Sequence, residues 1–598
     1  RDGPRTAPRP LPTIRAAGNV ADLDGQVPEA GDQPYVLSAA RNEAEAFRVI
    51  IDTATDSPRI DLEVTALVSA SGARIGADCI RVERVAPLYV TAPAMGAASG
   101  WHHDVLLPWR PETDDPGRRR IAWITVSVPA DAVAGSYTGS VHARLGGGVE
   151  LSLPVRLTVF DFALPDRFTF TPILGADTWG AFYTYPESHR FTNPAGAYTE
   201  FDAEAAREYA FHLARRHCTP FYYYQHTSPY PVPWHYDPET GTGTFDWSHF
   251  DRVAPELLRA GANHLFLGDR FNSGWRQVAY IGDWAGNDLT WSHWKDRPTN
   301  YRYRIDTPDG LHMLRAWAAG VSVHLRELGL QDCTYVYVVD EAKSGEVVQA
   351  TEKVAGVLRG SDPPLQPFGA SYAWRWEPYF AHMAAMLSSG NASPDVRERF
   401  AAEGVQYWGS YNRPSLVGNP LSIPRIIGPQ SFFDGVDHYF VWASLSTFHG
   451  WVNAHGRYRV VAQNAGYPVH EFLAGEYCEY GLGTLNLPWP AGEPLPEGKS
   501  RAFAASVRLE ALRESVEDYE YLHRLAALAR EPDVWGDLSK AAAKLLQDMR
   551  RLIEDSAVGL YPSKPDLMSH ATYEVDEQRY ETIRRAMGRL LEQAGTGR

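Results

Sequence analysis

Thr334-Tyr-Val-Tyr-Val-Val-Asp-Glu-Ala-Lys-Ser344 is the stretch on which the fold turns. Its run from Tyr335 to Val339 is β-branched and aromatic, which suits a strand buried on both faces, as in a parallel sheet. The run stops abruptly at two adjacent carboxylates, Asp340 and Glu341. Helical periodicity flanks it, over residues 311–328 before and 345–358 after. A carboxylate pair at the C-terminal end of a parallel strand stands where α/β barrels keep their chemistry. Read as local structure alone, Asp340 would cap the following helix and Glu341 would be solvated.

Working outward, the same strand–loop–helix grammar repeats. Runs at 221–224, 264–267 (closing near Asp269), 366–370, 405–408 and 437–442 read as strands. Residues 202–216, 251–259, 394–402 and 424–433 read as helices between them. Repeated βα units of this length predict a (β/α)8-like TIM barrel over residues 166–530. An open doubly wound sheet would normally carry a glycine-rich phosphate turn, and the sequence has none. The aromatic stretches 225–246 and 270–300 are long enough to be functional loops. Residues 504–528 form the strongest helix, with Val507, Leu512, Val516, Tyr519 and Leu522 on one stripe and Glu510, Glu514, Glu517 and Asp518 on the other faces. It is expected to be the last barrel helix, followed over 531–598 by a helical extension broken at Pro562 and Pro565.

The front of the chain has a different period. Runs at 46–52, 61–67, 80–90, 121–128, 139–145 and 151–160 are short and strand-like, which predicts an N-terminal β-sandwich within residues 1–165, ended by Pro165. The segment 128–139 is expected to be a hairpin connection, and residues 1–15 a loose lead-in.

Composition narrows the function classes. The 598 residues exceed one core, so about two to four domains are expected. A net charge of −16 argues against a nucleic-acid partner. No apolar run long enough for a membrane-spanning helix occurs, so no membrane partner is expected. The 18 Trp and 31 Tyr supply flat amphipathic faces suited to sugar rings, although many must simply fill core. Cys79, Cys218, Cys333 and Cys478 show no metal or redox spacing, and neither His102-His103-Asp104 nor His226, His235 and Asp237 form a known ligand pattern, so no metal or cofactor is expected. A chain that opens on Arg1 rather than Met is expected to have been trimmed, which leaves secretion and a cytoplasmic location both open.

Three stretches resemble glycoside hydrolase family 123 and its relatives: the strand ending in Asp340-Glu341; Arg425-Ile-Ile-Gly-Pro-Gln-Ser-Phe-Phe-Asp-Gly-Val-Asp-His-Tyr-Phe-Val-Trp442; and Ser506-Val-Arg-Leu-Glu-Ala-Leu-Arg-Glu-Ser-Val-Glu-Asp-Tyr-Glu-Tyr-Leu522. The last is the most specific and is a structural signature. The resemblance implies a β-N-acetylgalactosaminidase-like enzyme, retaining, with the substrate's own 2-acetamido group as nucleophile. It implies Asp340 as the residue that orients and polarises that group, and Glu341 as general acid/base. Ala342 replaces a common Pro and Pro429 a common Trp of the family, differences that bear on the sugar rather than the reaction.

Neighbouring strand residues point to opposite faces. Two adjacent carboxyls therefore fit poorly around one glycosidic bond at the roughly 5 Å of an ordinary retaining pair, and a nucleophile supplied by the substrate removes that demand. Tyr372 follows the next strand and would hydrogen-bond the acetamido carbonyl; Trp442 would floor the sugar site, with Trp374 and Trp408 as further aromatic contacts. Asp269 and Asp177 are strand-end carboxylates that would bind hydroxyls. Together with Glu479 they are the candidate nucleophiles if the sugar lacks an acetamido group. A non-catalytic carbohydrate-binding protein on the same scaffold is the alternative from another class.

Overall fold

The computed structural model describes residues 11–20, 33–53, 59–90, 100–112, 118–146, 148–175, 200–222, 228–267, 280–282, 301–305, 307–340, 345–372, 382–389, 394–410, 421–441, 460–464, 467–470, 486–488, 494–499, 502–560 and 571–596. Its front is built from β1 (Thr13–Ala17), β2 (Tyr35–Arg41), β3 (Glu43–Asp52), β4 (Ile60–Val64), β5 (Leu67–Ser69), β6 (Arg74–Ile75), β7 (Ile80–Val90), β8 (Gly100–Pro108), β9 (Arg119–Val128), β10 (Gly135–Leu145) and β11 (Val149–Ala163). These form two sheets, β1-β3-β9-β7-β8 and β2-β11-β10-β5-β6 with β4 beside β10, consistent with a sandwich. Strands β9 and β10 lie in different sheets, so residues 128–139 cross between layers and are not the hairpin expected. The lead-in is partly ordered too, because β1 pairs antiparallel with β3 along its whole length.

The first sheet is buried on both sides. Phe47, Val49, Ile51, Ala122, Ile124 and Val126 face the second sheet. Ala46, Ile50, Val85, Leu106, Ile121 and Trp123 face the other way and join the core shared with the rest of the protein. That double burial explains why β3 and β9 are nearly unbroken in their buried pattern rather than alternating.

The second part alternates strand and helix: β12 (Thr171–Gly175), α1 (Glu200–Ala214), β13 (Thr219–Phe221), the hairpin β14 (Trp234–Asp237) and β15 (Thr242–Phe245), α2 (Ser248–Arg259), β16 (Leu265–Leu267), the ribbon β17 (Tyr280–Gly282) and β18 (Tyr301–Arg304), α3 (Pro308–Leu328), β19 (Thr334–Asp340), α4 (Gly345–Arg359), β20 (Gln366–Tyr372), β21 (Ala385–Ser389), α5 (Pro394–Ala402), β22 (Gln406–Ser410), α6 (Ser422–Arg425), α7 (Ile427–Phe433) and β23 (His438–Val441). Eight of the strands form one parallel sheet in the order β13-β12-β23-β22-β21-β20-β19-β16, a barrel closed except between β13 and β16. Helix α3 shows how the local sequence sets these units. Thr307 caps its start, Pro308 takes the first turn, and Gly329 ends it at φ 67°, a conformation that favours glycine.

The remaining helices are α8 (Val507–Ala529), α9 (Pro532–Trp535), α10 (Asp537–Asp555) and α11 (Glu577–Thr596). Helix α8 is the axle of the molecule. Ser506 caps it, Oγ accepting from Leu509 N at 3.1 Å, and the Ser506 backbone also bridges to Val105 of β8. Its acidic residues are not solvated: Glu510, Glu514, Glu517 and Asp518 are all buried. A charge that deep needs a partner. Arg513 reaches Glu510 (2.9 Å), Glu514 (3.1 Å) and Glu517 (2.7 Å), while Arg81 of β7 and Arg216 meet Glu510 at 3.0 and 2.8 Å. Arg508 forms a two-pronged pair with Asp104 of β8 at 2.8 and 2.9 Å. Arg584 of α11 bonds Asp518 (2.8 Å), Glu45 (2.7 Å) and Glu43. Burial pushes the Glu514 and Glu517 carboxyls up to about 7 and about 8. Burial also raises Glu510, but Arg81, Arg216 and Arg513 outweigh it and hold that carboxyl well below the usual range.

The two longer family-like stretches touch each other here. Arg425 of α6 lies 3.0 Å from Glu514 and 3.2 Å from Asp518, and Gly428 N donates to Ser515 Oγ at 2.5 Å. Phe432 meets Tyr519 edge-on at 5.5 Å. The signature in each stretch thus records one buried contact, where α6 and α7 close on α8.

Candidate active site

Strand β19 occupies the fourth position around the barrel in chain order, between β16 and β20. Tyr335 to Val339 are all buried, as a strand covered on both faces requires. Tyr335 and Tyr337 point into the lumen, where they join Ile173, Phe221, Phe266 and Phe368. Val336, Val338 and Val339 belong instead to the outer core under the helices. Two consecutive outward residues mark an irregularity, and the ladder to β20 shifts register between Tyr337 and Val339. Asp340 is the last residue of the strand and lies in register with Ala370, which packs on the lumen cluster.

Beneath the strand ends the lumen is filled. The Phe221 ring stands edge-on to Phe266 (5.0 Å), Tyr337 (5.1 Å), Phe368 (5.8 Å) and Phe440 (5.4 Å). Below them Trp408 Nε1 donates to Gln406 Oε1 at 3.2 Å, and Tyr335 OH donates to the same oxygen at 2.9 Å. Burial pushes the Tyr335 hydroxyl up to about 12. The lumen below the strand ends is thus filled by side chains, and in parallel barrels chemistry sits at the C-terminal ends of the strands.

The structure places the expected site residues unevenly. Asp340 ends β19 and Tyr372 ends β20, adjacent strands at the same end of the barrel, though their side chains are not described. Glu341, Trp374, Trp442, Asp269, Asp177 and Glu479 lie outside the described residues. Trp408 is fully buried, packed on Tyr335, Phe368 and His438. Its ring supports the floor from below rather than presenting a face at the strand ends.

Of the His and Asp groups weighed as ligands, Asp104 is taken by Arg508, and Asp237 accepts from Glu239 N and Thr240 Oγ1 to close the β14–β15 turn. Among the described residues no group of three or more His, Cys, Asp or Glu is placed to hold a metal ion. Cys79, Cys218 and Cys333 are free thiols. No described helix is long and apolar enough to cross a membrane. What the sequence did not reveal is the His264–His438 contact in the floor, 2.8 Å between Nε2 atoms. The two residues are too far apart in the chain for any local pattern to pair them.

The described elements define a nearly closed eight-stranded parallel barrel joined to two β-sheets and C-terminal helices, with a carboxylate ending one barrel strand. A family 123 glycoside hydrolase from Clostridium perfringens, studied for glycolipid glycan hydrolysis, has the same architecture: 98% of this chain matches 97% of that one, with TM-score 0.61 and 12% identity. A Bacteroides ovatus family 5 xyloglucanase overlaps more loosely, over 69% of this chain and 93% of its own, at TM-score 0.26 and 9% identity. The sequence matches no family model and no curated protein.

Proposed function

We propose that the protein is a glycoside hydrolase that removes a β-linked N-acetylhexosamine, N-acetylgalactosamine first among candidates, with retention and with the substrate's acetamido oxygen as nucleophile. The observation that carries this reading is the end of β19: a carboxylate, Asp340, is the last residue of a buried parallel barrel strand whose ladder to β20 shifts register between Tyr337 and Val339. Strand ends on this face of a barrel, and bulges beside them, are where such folds keep their chemistry. The whole-chain likeness to a family 123 hydrolase supports the same reading.

In this mechanism Asp340 accepts a hydrogen bond from the acetamido N–H and stabilises the positive charge that develops as the oxygen attacks the anomeric carbon. Glu341, protonated at the outset, gives its proton to the leaving oxygen. The ring-closed oxazolinium intermediate then takes water, which Glu341 deprotonates. Tyr372 would bond the acetamido carbonyl, and Trp442, Trp374, Asp269 and Asp177 would contact the sugar. A panel of aryl glycosides that includes the β-N-acetylgalactosaminide and β-N-acetylglucosaminide tests the substrate. A thiazoline analogue of the intermediate tests the mechanism: it should inhibit competitively. Turnover of only non-acetamido sugars, with a trapped covalent glycosyl-enzyme, would replace the substrate's nucleophile by a protein carboxylate.

A further inference from the structure

Around the barrel, β13 and β16 are the two strand neighbours that share no ladder bond among the described residues. Side chains close that seam. Asn263, just before β16, donates its backbone N–H to Thr219 Oγ1 (3.0 Å) and its side-chain amide to Phe168 O (2.9 Å) and Thr171 Oγ1 (2.8 Å). The next residue, His264, spans the lumen floor to His438 at the foot of β23.

That contact holds one proton between two rings. His438 Nδ1 lies 2.7 Å from Asp437 Oδ1, so Nδ1 carries the hydrogen and His438 Nε2 offers a lone pair, to which His264 Nε2–H donates. Among the described residues, His264 Nδ1 is buried and has no hydrogen-bond partner. A proton added to the pair, whichever ring carries the charge, ends in an N–H at this nitrogen with no acceptor. Such a group is costly in a buried site. The surroundings are aromatic: Trp408 stacks against His438 at 4.9 Å and His264 at 6.0 Å, and Tyr335 stands edge-on to His264 at 5.1 Å. Among the described residues, the titratable and charged groups around the pair are Asp437 and His438 from the β23 side, Tyr335 (with Cys333 behind it) from the β19 side, and Arg167 from the segment before β12. Burial, His438 and Arg167 together hold His264 well below the ordinary histidine range.

We propose that the His264–His438 contact is a proton-sensitive tie across the lumen: it holds the β16 edge of the barrel to β23, and mild acid loosens β16 there before the rest of the sheet yields. The sign follows from linkage. A histidine depressed in the fold contributes stability that is complete above its unfolded value, about 6.5, and is lost as pH falls toward the folded value.

Hydrogen–deuterium exchange of the full chain tests this, with protection factors corrected for intrinsic rates from about pH 7.5 to about pH 4.5. Peptides covering 262–267 and 437–441 should lose protection by about tenfold for each pH unit below the onset, while the β21 peptide 385–389 holds steady. His264→Gln keeps a donor toward His438 and cannot titrate, so the same two peptides should stay equally protected across the range. Peptides 262–267 and 437–441 that hold as firmly as β21 in acid would overturn the proposal, as would an unchanged acid loss in His264→Gln. If that variant does not fold, the wild-type comparison between these peptides and β21 still decides.

Discussion

Gly428→Ala is the substitution whose cost the geometry fixes best. A Cβ on Gly428 would stand 2.0 Å from Ser515 O, 2.7 Å from Ser515 Oγ and 2.8 Å from Ser515 C. Relaxed contact needs about 3.5 Å, so α7 and α8 would have to part by roughly 1.5 Å. The obstacle is backbone, which cannot swing aside as a side-chain tip can. Overpacking of this kind costs about 1–3 kcal/mol, and losing the Gly428 N–H to Ser515 Oγ bond adds about 1 kcal/mol. The buried Arg425–Glu514 and Arg425–Asp518 pairs span the same contact and would stretch with it. The expected loss is therefore about 2–4 kcal/mol before any stretching of those pairs, a large share of the usual 5–15 kcal/mol of a folded protein. Urea unfolding followed by circular dichroism and tryptophan emission measures it. Gly345→Ala is the control, since its Cβ meets nothing within 4 Å. A Gly428→Ala midpoint no lower than that of Gly345→Ala would refute the claim that α7 and α8 touch backbone to backbone.

Three more outcomes follow from the same geometry. Arg584→Met should cost about 3–5 kcal/mol in urea unfolding, because it strips the shared cation from Glu43, Glu45 and Asp518. Glu517 is raised to about 8, so the native chain keeps a proton that the unfolded chain releases; this contribution is complete below about 4.5 and falls as pH rises to about 8. Glu517→Gln removes it, so the variant's stability relative to wild type should rise between pH 5 and pH 8 in unfolding curves taken across that range, and a flat difference would contradict the assigned burial effect. Trp408→Phe should lower the urea midpoint and leave KM for an aryl glycoside unchanged, since the ring lies in the floor; a severalfold rise in KM would restore it as a sugar contact.

The barrel was legible where burial is continuous. Tyr335 to Val339 announced β19, and the strands at 366–372, 406–410 and 438–441 carried similar signals. Two barrel strands were harder to read. Thr171–Gly175 is short and holds Pro172, and it was anticipated only through Asp177 as a strand-end carboxylate; Ala385–Ser389 was missed, because it opens with Ala, Met and Leu, helix formers that adopt a strand where Ala385 to Leu387 are buried. The crossing between sheets at 128–139 was read as a hairpin because local turn residues do not reveal which layer a strand enters. The periodicity of α8 was plain, but its acidic faces gave no sign of burial. Glu510 meets Arg81 from 429 positions away, and Arg584 meets Glu43 across 541. Partners that remote leave no local pattern. The carboxylate pair itself was readable only as a strand ending abruptly in charge; the register shift just before Asp340 depends on pairing with β20.

Hydrolysis of an aryl β-N-acetylgalactosaminide by wild type, Glu341→Gln and Asp340→Asn measures the central claim most directly. Turnover by wild type is expected, with kcat reduced by about 100-fold or more in each variant while the fold, read by circular dichroism, is unchanged. Variants that match wild type, or a well-folded wild type that turns over no glycoside in the panel, would contradict it.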